Sequence, residues 1–398
     1  FKKYDNLNSS IQENVKGMRV VKSFVREEYE EEKFDKAAVE VCNDFTKAER
    51  ILSLNGPIMQ FCLNTVMIFV LTFGSYILIT SQGLDLNVGE FSALLTYSFM
   101  MLSSLMMLSM VFVMLTMAQE SGKRIAEVLS EVPTLKNPKE PIYVVKDGSI
   151  TFKDVDFKYS KTAEKMALEN INLSIKSGET IGIIGGTGSS KSTLVQLISR
   201  LYDTTEGDVF VGGINVKDYD IEALRNKVGI VMQKAVLFKG TIRENMWMGK
   251  KGATDEQIDE ALEISQSKEF VDSKQGRLDY VIEQGGKNLS GGQRQRLTIA
   301  RAIVRKPDVL ILDDSASALD FATDAALRKS IRGMNNSPTV FIVSQRAASL
   351  MYADLIIVLD DGQVAGMGTH DELLANCEVY KEIYESQFKK ADSEGGVA

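Results

Sequence analysis

The chain contains little cysteine, little histidine and no excess of positive charge. Its three cysteines, Cys42, Cys62 and Cys377, lie far apart and form no CxxC pair. Neither a disulfide framework nor a zinc site is therefore predicted, and a reducing cytoplasm suits this usage. The formal net charge is −8. Because proteins that bind a phosphate backbone normally present a basic face, nucleic acid is not an expected partner.

Lysine and arginine are absent between residues 51 and 122. This part holds two apolar stretches, Ile58–Thr80 and Phe91–Met117, separated by the polar turn Ser81–Asn87. Each stretch exceeds the roughly 20 residues that a helix needs to cross about 30 Å of hydrocarbon. Buried core helices are the alternative, but these rarely stay apolar over such a length. We predict a transmembrane hairpin over about 54–118.

Basic residues stand outside both ends of this hairpin, whereas the turn carries acid. Lys47 and Arg50 precede the hairpin, Lys123 and Arg124 follow it, and Asp85 lies in the turn. The positive-inside rule places both ends in the cytoplasm and the turn outside. We therefore expect a multi-pass protein of the cell (plasma) membrane, with membrane lipids among its partners.

The residues before the hairpin are charged and helix-forming, which predicts long, water-exposed helix over 1–50. Together with the hairpin and a connecting helix to 132, they form a partial transmembrane domain, 1–132. The chain begins with Phe1 rather than Met, and its opening residues are typical of mid-helix. Further residues are therefore expected upstream.

The composition changes after Pro133, where a polar linker is predicted over 133–147. Over 148–388, β-branched runs alternate with helical patterns. Such alternation is typical of an α/β domain with a largely parallel sheet. The polar, glycine-rich end, 389–398, is predicted to be a flexible tail.

A short apolar strand, Thr180–Ile184, leads into a glycine-rich loop and then a helical run, Leu194–Leu201. Strand, loop and helix are the context of a P-loop, whose backbone N–H groups surround phosphates. A chance glycine-rich turn is the alternative. The predicted ATP-binding residues are Gly185, Gly186, Thr187, Gly188, Ser189, Ser190, Lys191, Ser192 and Thr193.

Two residues of this loop have specific predicted roles, and a third departs from the P-loop pattern. Lys191 is expected to neutralise the β- and γ-phosphates, and Ser192 to ligate Mg²⁺. Ser190 stands where the P-loop pattern has glycine, and its Cβ can crowd the backbone or restrict φ. Nucleotide binding should survive, in weakened form. The domain is therefore predicted to be a P-loop NTPase that uses a nucleotide and Mg²⁺.

A second buried strand, Val309–Leu312, ends in Asp313 and Asp314. Open α/β sheets bind ligands at the carboxyl ends of their strands. Asp313 is accordingly predicted to hold Mg²⁺ through water. A solvated turn is the alternative for the two acids taken alone.

The segment Leu289–Gln293 combines a serine and two glycines at the start of a helical run, Arg294–Arg305. Ser290, Gly291, Gly292 and Gln293 can form an anion site from backbone N–H groups, a hydroxyl and the helix dipole. A plain helix cap is the alternative. Together with the P-loop and the acidic strand end, the segment resembles the signature motif of ATP-binding cassette (ABC) proteins, and the resemblance extends over residues 1–388.

The resemblance implies further roles. Tyr159 matches the aromatic residue that stacks on adenine, although a strand tyrosine in a core would look the same. Gln233 matches the glutamine between nucleotide and membrane domain, and we assign it to the catalytic, nucleotide-binding and metal sets. Ser317–Asp320 matches the D-loop. Gly17–Phe24 resembles a cytoplasmic coupling helix of the exporters, with a generic amphipathic helix as the alternative.

Two further positions, in addition to Ser190, depart from the family pattern. Asp314 stands where the family has the glutamate base, and Gln345 where it has the switch histidine. The single histidine, His370, lies in a late turn and is interpreted as structural or surface. In the family, two domains face head to tail, so each ATP lies between one P-loop and the other chain's signature. The resemblance therefore implies a degenerate-site subunit whose partner is a second half-transporter with intact glutamate and histidine.

The expected function is ATP-driven export of a small amphipathic molecule, lipid or peptide as half of a heterodimer, with this chain's own ATP site impaired. A membrane-anchored ATP-sensing regulatory subunit is an alternative, and a non-transport ABC ATPase is another. The hairpin and its charge asymmetry favour the transporter. The substrate itself cannot be predicted, because pocket residues would come from many spans.

Overall fold

The computed structural model describes residues 2–82, 84–160, 162–315 and 318–394. The chain divides into two compact units, Phe1–Val132 and Pro133–Ala398. The first unit is helical, with the helices α1 Lys2–Ser23, α2 Glu27–Ser53, α3 Asn55–Thr80 and α4 Val88–Ser130.

Two breaks interrupt the helical run at the start of the first unit. Val25 adopts a left-handed φ of 51° between α1 and α2, so the predicted helix over 1–50 is two helices. The second break, between α2 and α3, lies just before Pro57, which has no N–H to continue the helical hydrogen bonds. The segment predicted as coupling helix, Gly17–Phe24, forms the end of α1 and the first residue of the turn.

The helices α3 and α4 are apolar but almost wholly exposed. Gly74 and Leu102 are their only buried residues in the described part of the chain. Gly74 lets α4 approach closely, because a Cβ there would lie 2.5 Å from the Phe91 ring. By length and composition the described residues contain two helical segments able to cross a membrane, Glu27–Thr80 and Val88–Ser130. An apolar surface of this kind requires lipid or protein around it.

A reciprocal cap begins α4. The Asn87 side chain accepts a hydrogen bond from the Glu90 N–H, and the Glu90 carboxylate accepts one from the Asn87 N–H. Such a capping box satisfies two backbone donors that would otherwise have no partner. The polar turn predicted from the sequence, Ser81–Asn87, therefore ends at a defined helix start.

The described residues of the second unit form three sheets. The strands are β1 Ile150–Phe157, β2 Leu168–Ile175, β3 Thr180–Gly185, β4 Glu206–Val211, β5 Ile214–Asn215, β6 Val228–Val231, β7 Gly240–Thr241, β8 Val281–Ile282, β9 Val309–Asp313, β10 Thr339–Val343, β11 Leu355–Asp360 and β12 Gln363–Gly368. A six-stranded sheet has the order β12-β11-β3-β10-β9-β6, a four-stranded antiparallel sheet has the order β2-β1-β4-β5, and β7 pairs with β8.

Helices lie between these strands. They are α5 Lys191–Ile198, α6 Ile221–Lys227, α7 Ile242–Trp247, α8 Asp255–Ile264, α9 Lys268–Asp272, α10 Gly291–Ile303, α11 Phe321–Arg332, α12 His370–Asn376 and α13 Glu378–Glu394, with 3₁₀ turns at Arg277–Asp279, Gln284–Gly286 and Ala347–Ser349. The six-stranded sheet is parallel except for its edge strand β12. The prediction of an α/β domain with a largely parallel sheet is confirmed.

The central strands are buried because hydrophobic clusters cover both faces of the six-stranded sheet. Alternate residues of one strand enter different clusters: Ile311 joins the cluster of the antiparallel sheet and α5, and Leu310 joins that of α8 and α10. In β3 and β9 every residue is buried. Both strands pair with β10, so their carboxyl ends meet at one edge of the sheet.

The ends of the second unit also have defined structure. In the predicted linker, Ile142 pairs with Tyr219 in a parallel bridge, and the Asn137 side chain accepts a hydrogen bond from the Ile221 N–H over 3.0 Å. At the other end α13 continues to Glu394. The remainder of the predicted tail, 395–398, lies outside the described residues.

Candidate nucleotide-binding site

A cleft of about 290 Å³ opens where β3, β9 and β10 end. Its position follows from the parallel pairing, which brings the loops after these strands to the same edge. The residues around it are Thr187, Gly188, Ser190, Lys191, Ser192, Thr193, Gln233, Asp313, Asp314, Val343, Ser344 and Gln345. The structure thus brings together most of the predicted P-loop, both strand-end acids and two further predicted residues, Gln233 and Gln345.

The loop between β3 and α5 closes around the Lys191 side chain. The Lys191 ammonium donates hydrogen bonds to the carbonyls of Gly185 and Gly186, over 3.0 and 2.6 Å, and to the Ser189 hydroxyl over 3.2 Å. Burial lowers the pKa of Lys191, while Asp314 and Asp313 act in the opposite direction. The Lys191 ammonium is therefore held inside its own loop, from which it can turn toward an incoming phosphate without passing through solvent.

Glycine is required at the start of this loop. A Cβ on Gly185 would lie 2.1 Å from the Leu359 carbonyl oxygen, and Gly188 has a φ of 88°. The neighbouring Ser190 also adopts a left-handed conformation, with φ 66° and ψ 25°, at the N-terminal cap of α5. A non-glycine residue in that region costs roughly 1–2 kcal/mol. The loop therefore keeps its left-handed turn at Ser190 in spite of the missing glycine.

The Ser192 hydroxyl donates to Asp313 Oδ1 over 2.9 Å. Asp313 is almost fully buried. Burial raises the pKa of Asp313, and the charge of Asp314 adds to this, whereas the bond from Ser192 and the charge of Lys191 lower it. A hydroxyl and a carboxylate at this distance are oxygen donors of the type that Mg²⁺ prefers. The residues present therefore fit a magnesium ion held together with phosphate oxygens.

Asp314 begins the turn after β9 with a left-handed φ of 45°. Its N–H donates to the Val343 carbonyl over 3.0 Å, which ties the turn to the end of β10. Its Oδ2 accepts a hydrogen bond from Gln233 Nε2 over 3.4 Å. Gln233 and Asp314 are thus in contact, and both line the cleft together with Asp313.

The loop after β10 carries Gln345 and is held from α13. Gln387 donates to the Gln345 carbonyl over 2.7 Å and accepts from the Ala347 N–H over 2.9 Å. Gln387 was not among the predicted residues. It carries no recognisable motif and lies 42 positions from Gln345, so no sequence signal would have identified this contact.

Tyr159 lies outside the residues that line the cleft but is tied to its edge. Its hydroxyl makes a 2.8 Å hydrogen bond with the Thr193 hydroxyl, and its ring packs edge-on against Phe157 and Tyr202. The side chain is nevertheless 57% exposed. An exposed ring fixed at its tip suits a planar ligand better than it suits a core.

The signature residues stand apart from this cleft. Ser290 caps α10, where its hydroxyl accepts from the Gln293 N–H and the Gln293 side chain accepts from the Ser290 N–H. Ser290 and Gly291 are exposed. None of the residues that line the cleft belongs to Ser290–Gln293. The P-loop and the signature, the two halves of the predicted ATP site, are therefore both present on this chain but do not line the same cleft.

The structure also describes part of the predicted D-loop and the surroundings of His370. In the D-loop, Ser317 lies outside the described residues, while Asp320 caps α11 through the Thr323 N–H. His370 Nδ1 makes a 2.7 Å hydrogen bond with the Tyr380 hydroxyl, which fits its interpretation as structural. Within the described ranges, no group of three or more histidine, cysteine, aspartate or glutamate side chains could hold a metal ion.

Two family models match the chain. The ABC transporter model covers residues 168–317, which include the P-loop, Gln233, both strand-end acids and the signature, and the ABC transporter transmembrane region model covers residues 1–105. The second match includes α3 and the start of α4, whose apolar surface is exposed. The prediction of long transmembrane helices followed by an ABC-type P-loop NTPase domain is confirmed.

Similar proteins match along nearly the whole chain. An uncharacterized ABC transporter ATP-binding protein, YfiB of Bacillus subtilis, is 37% identical over 99% of this chain, which corresponds to 67% of that protein. A probable multidrug resistance ABC transporter ATP-binding/permease protein, YheI of the same species, is 33% identical over 98% of this chain and 66% of its own length. The chain thus spans about two thirds of these relatives.

A solved structure supports the same assignment. It is a bacterial Atm1-family ABC exporter with ATP bound, and it matches with a TM-score of 0.88 and 28% identity over 97% of this chain and 68% of that one. The chain belongs to the ABC transporter family: it is an exporter half-transporter in which membrane-spanning helices are joined to an ATP-binding domain whose ATPase activity drives export.

Proposed function

We propose that this chain is the degenerate-site subunit of a heterodimeric exporter in the cell membrane. One observation carries the proposal: the cleft has the lysine and serine of a phosphate loop, Lys191 and Ser192, but presents Asp314 and Gln345 where hydrolysis needs glutamate and histidine. The signature, in contrast, is intact and exposed at the start of α10. The partner is then a second half-transporter that supplies the missing glutamate and histidine.

The residues of the cleft are proposed to bind ATP as follows. Lys191 leaves its loop carbonyls and donates to the β- and γ-phosphates, and the backbone N–H groups of the loop surround them. The Ser192 hydroxyl and the Asp313 carboxylate hold Mg²⁺, with Gln233 beside them. When bound, Mg²⁺ supplies neutralisation of the phosphate charge. Tyr159 stacks on the adenine ring, for which its exposed face is available.

Hydrolysis at this site is proposed to be slow because both water-positioning groups are altered. The Asp314 carboxylate is one methylene shorter than that of glutamate, and a misplacement of about 1 Å can cost about 10²-fold in rate. Gln345 offers an amide in place of an imidazole, so it cannot exchange a proton near neutral pH. ATP in this cleft therefore acts mainly to hold the two chains together.

The signature is proposed to complete the fast site on the partner. Ser290 and the N–H groups of Gly291 and Gly292 would contact the ATP held by the partner's P-loop, with the helix dipole of α10 behind them. ATP binding closes the two nucleotide domains, 148–388 in this chain, and hydrolysis at the partner's site resets them. Energy for export thus comes mainly from one of two unequal sites.

The transported substrate is proposed to be a small amphipathic molecule, a lipid or a peptide. The long methionine-rich part of α4, from Phe99 to Met117, supports this because methionine side chains adapt to ligands of varied shape. The similar protein YheI, a probable multidrug resistance ABC transporter, is in accord. The hairpin within 1–132 is proposed to have its turn outside the cell and both ends in the cytoplasm.

The asymmetry is tested by two substitutions in the complex of this chain with its partner. Asp314→Asn should reduce the steady-state ATPase rate only modestly, because it removes an already weak base. Ser290→Arg should nearly abolish it, because a bulky cation blocks the signature half of the fast site. A glutamate-to-glutamine variant of the partner provides the reference for a dead fast site.

The two variants are compared in the same lipid nanodiscs, with ATP binding measured in parallel. Equal and near-complete loss of activity in both would mean that Asp314 is a working base and would overturn the proposal. A preparation of this chain alone that hydrolyses ATP at several turnovers per second would also overturn it, since a homodimer contains only impaired sites.

A further inference from the structure

A groove of about 390 Å³ lies on the second unit, away from the nucleotide cleft, between α11 and the loop that leads into β11. It shares no lining residue with the cleft. Its volume falls in the range of about 300–1,000 Å³ that small-molecule sites occupy. The roles of the ATP-site residues do not explain why this groove is present.

The floor of the groove is a continuous apolar patch of the six-stranded sheet. Ile342 of β10 is in register with Leu312 of β9, and Val340 is in register with Thr180 of β3, so the four side chains point to one face. Val340 and Ile342 keep 4% and 7% of their surface exposed. Both residues belong to the buried core beside α11, so the groove reaches only the small part of each side chain that stays accessible.

One face of α11 forms the wall of the groove. Ala325, Arg328, Lys329 and Arg332 recur at the spacing of a helix face and all line it. Ala325 is small and exposed, so the groove is open at that point. Each arginine reaches across to the opposite loop: Arg328 donates to the Ser349 carbonyl over 2.8 Å, and Arg332 donates to the Tyr352 carbonyl.

The groove is lined by positive charge, whereas the chain as a whole carries a negative net charge. Its lining contains three basic residues and no acidic one, in a protein whose formal net charge is −8. Asp324 pairs with Arg328 over 2.8 Å but does not line the groove. Lys329 is exposed, and within the described residues its ammonium makes no hydrogen bond or ion pair.

We infer that this groove binds a small organic anion with an apolar aromatic or aliphatic body. The body lies on Leu312, Val340 and Ile342, and the anionic group lies at the rim between Lys329 and Arg332. A carboxylate fits best, because guanidinium and ammonium donors both bind carboxylate oxygens by charge-assisted hydrogen bonds. A neutral apolar molecule would use the floor but not the rim.

The site is tested by photolabelling the full chain in lipid nanodiscs with 4-benzoylbenzoate, an aromatic carboxylate whose ketone cross-links on illumination. Mass spectrometry should locate cross-links on α11 and on the strand segment Val340–Ile342. Ala325→Trp fills the groove and should lower this labelling about tenfold, the factor that corresponds to about 1.4 kcal/mol. Ala322→Trp, the same change on an exposed residue of α11 outside the lining, should leave it unchanged.

The charge requirement is tested with the double substitution Lys329→Glu and Arg332→Glu, which alters exposed residues only. It should lower labelling by 4-benzoylbenzoate but not by the neutral 4-methylbenzophenone. Binding of a fluorescent ATP analogue to the same samples shows that each variant is folded. Saturable labelling of the groove that Ala325→Trp does not reduce, labelling only elsewhere, or equal labelling by both probes in every variant would overturn the inference.

Discussion

Replacing Asp314 by glutamate and Gln345 by histidine should restore hydrolysis at this chain's own ATP site. The added methylene moves the carboxylate outward by about 1.5 Å. At present the hydrogen bond from Gln233 to Asp314 is long, at 3.4 Å. Recovering a misplacement of about 1 Å is worth about 10²-fold in rate, or about 2.7 kcal/mol. The histidine keeps the backbone position that Gln387 already fixes.

The assay isolates this site by placing both changes in a complex that also carries Ser290→Arg, which blocks the partner's site. The remaining ATPase activity then comes from this chain's P-loop alone. We expect a low rate in that background, about a 10²-fold increase with Asp314→Glu and Gln345→His together, and no increase with the isosteric Asp314→Asn. Phosphate release is followed at saturating ATP.

A failure of the double variant to increase the rate, with ATP binding intact, would refute the reasoning that these two side chains limit the site. An equal increase with Asp314→Asn would refute it as well, because an amide cannot act as a base. The left-handed φ of 45° at Asp314 is less favourable for glutamate than for aspartate. Thermal unfolding of each variant therefore accompanies the rate measurement.

Three further outcomes follow from contacts in and around the cleft. Lys191→Ala should weaken ATP binding, measured with a fluorescent ATP analogue, because it removes the cation at the phosphates; unchanged affinity would contradict the P-loop assignment. Tyr159→Ala should weaken binding by about 1–3 kcal/mol, whereas Tyr159→Phe, which loses only the bond to Thr193, should stay close to wild type. Gln387→Ala removes two hydrogen bonds from the loop 345–347 and should accelerate its amide hydrogen exchange, with the exposed Ser386→Ala as the control; equal exchange in both would show that the clamp is unimportant.

The elements around the ATP cleft could be predicted from the sequence because each has a strong local signal. The strand predicted over Thr180–Ile184 is observed as Thr180–Gly185, and the acidic strand end is observed at Asp313. The apolar spans were also predicted closely, although α3 begins at Asn55 and α4 continues to Ser130. Apolar runs that end at glycine or aspartate leave few alternatives for strand and loop.

Contacts between distant segments could not be predicted in this way. The sheet order, which places β10 between β3 and β9, has no local signature. The break at Val25 contradicts local preference, since a β-branched residue rarely adopts a positive φ. The bond between Tyr159 and Thr193 joins residues 34 positions apart. Such features depend on tertiary packing, and a single sequence contains no measure of it.

The reciprocal cap of α10 affects the rate at which two chains can associate. Ser290 and Gln293 satisfy each other's N–H groups, which leaves the N–H groups of Gly291 and Gly292 at the exposed helix end. Arg294 holds the preceding turn by donating to the Leu289 carbonyl over 2.6 Å. On the proposal that these donors contact a second chain's phosphates, they are preorganised, and little conformational entropy remains to be lost when the chains close. Closure should then be limited by the meeting of two rigid surfaces rather than by the ordering of a loop.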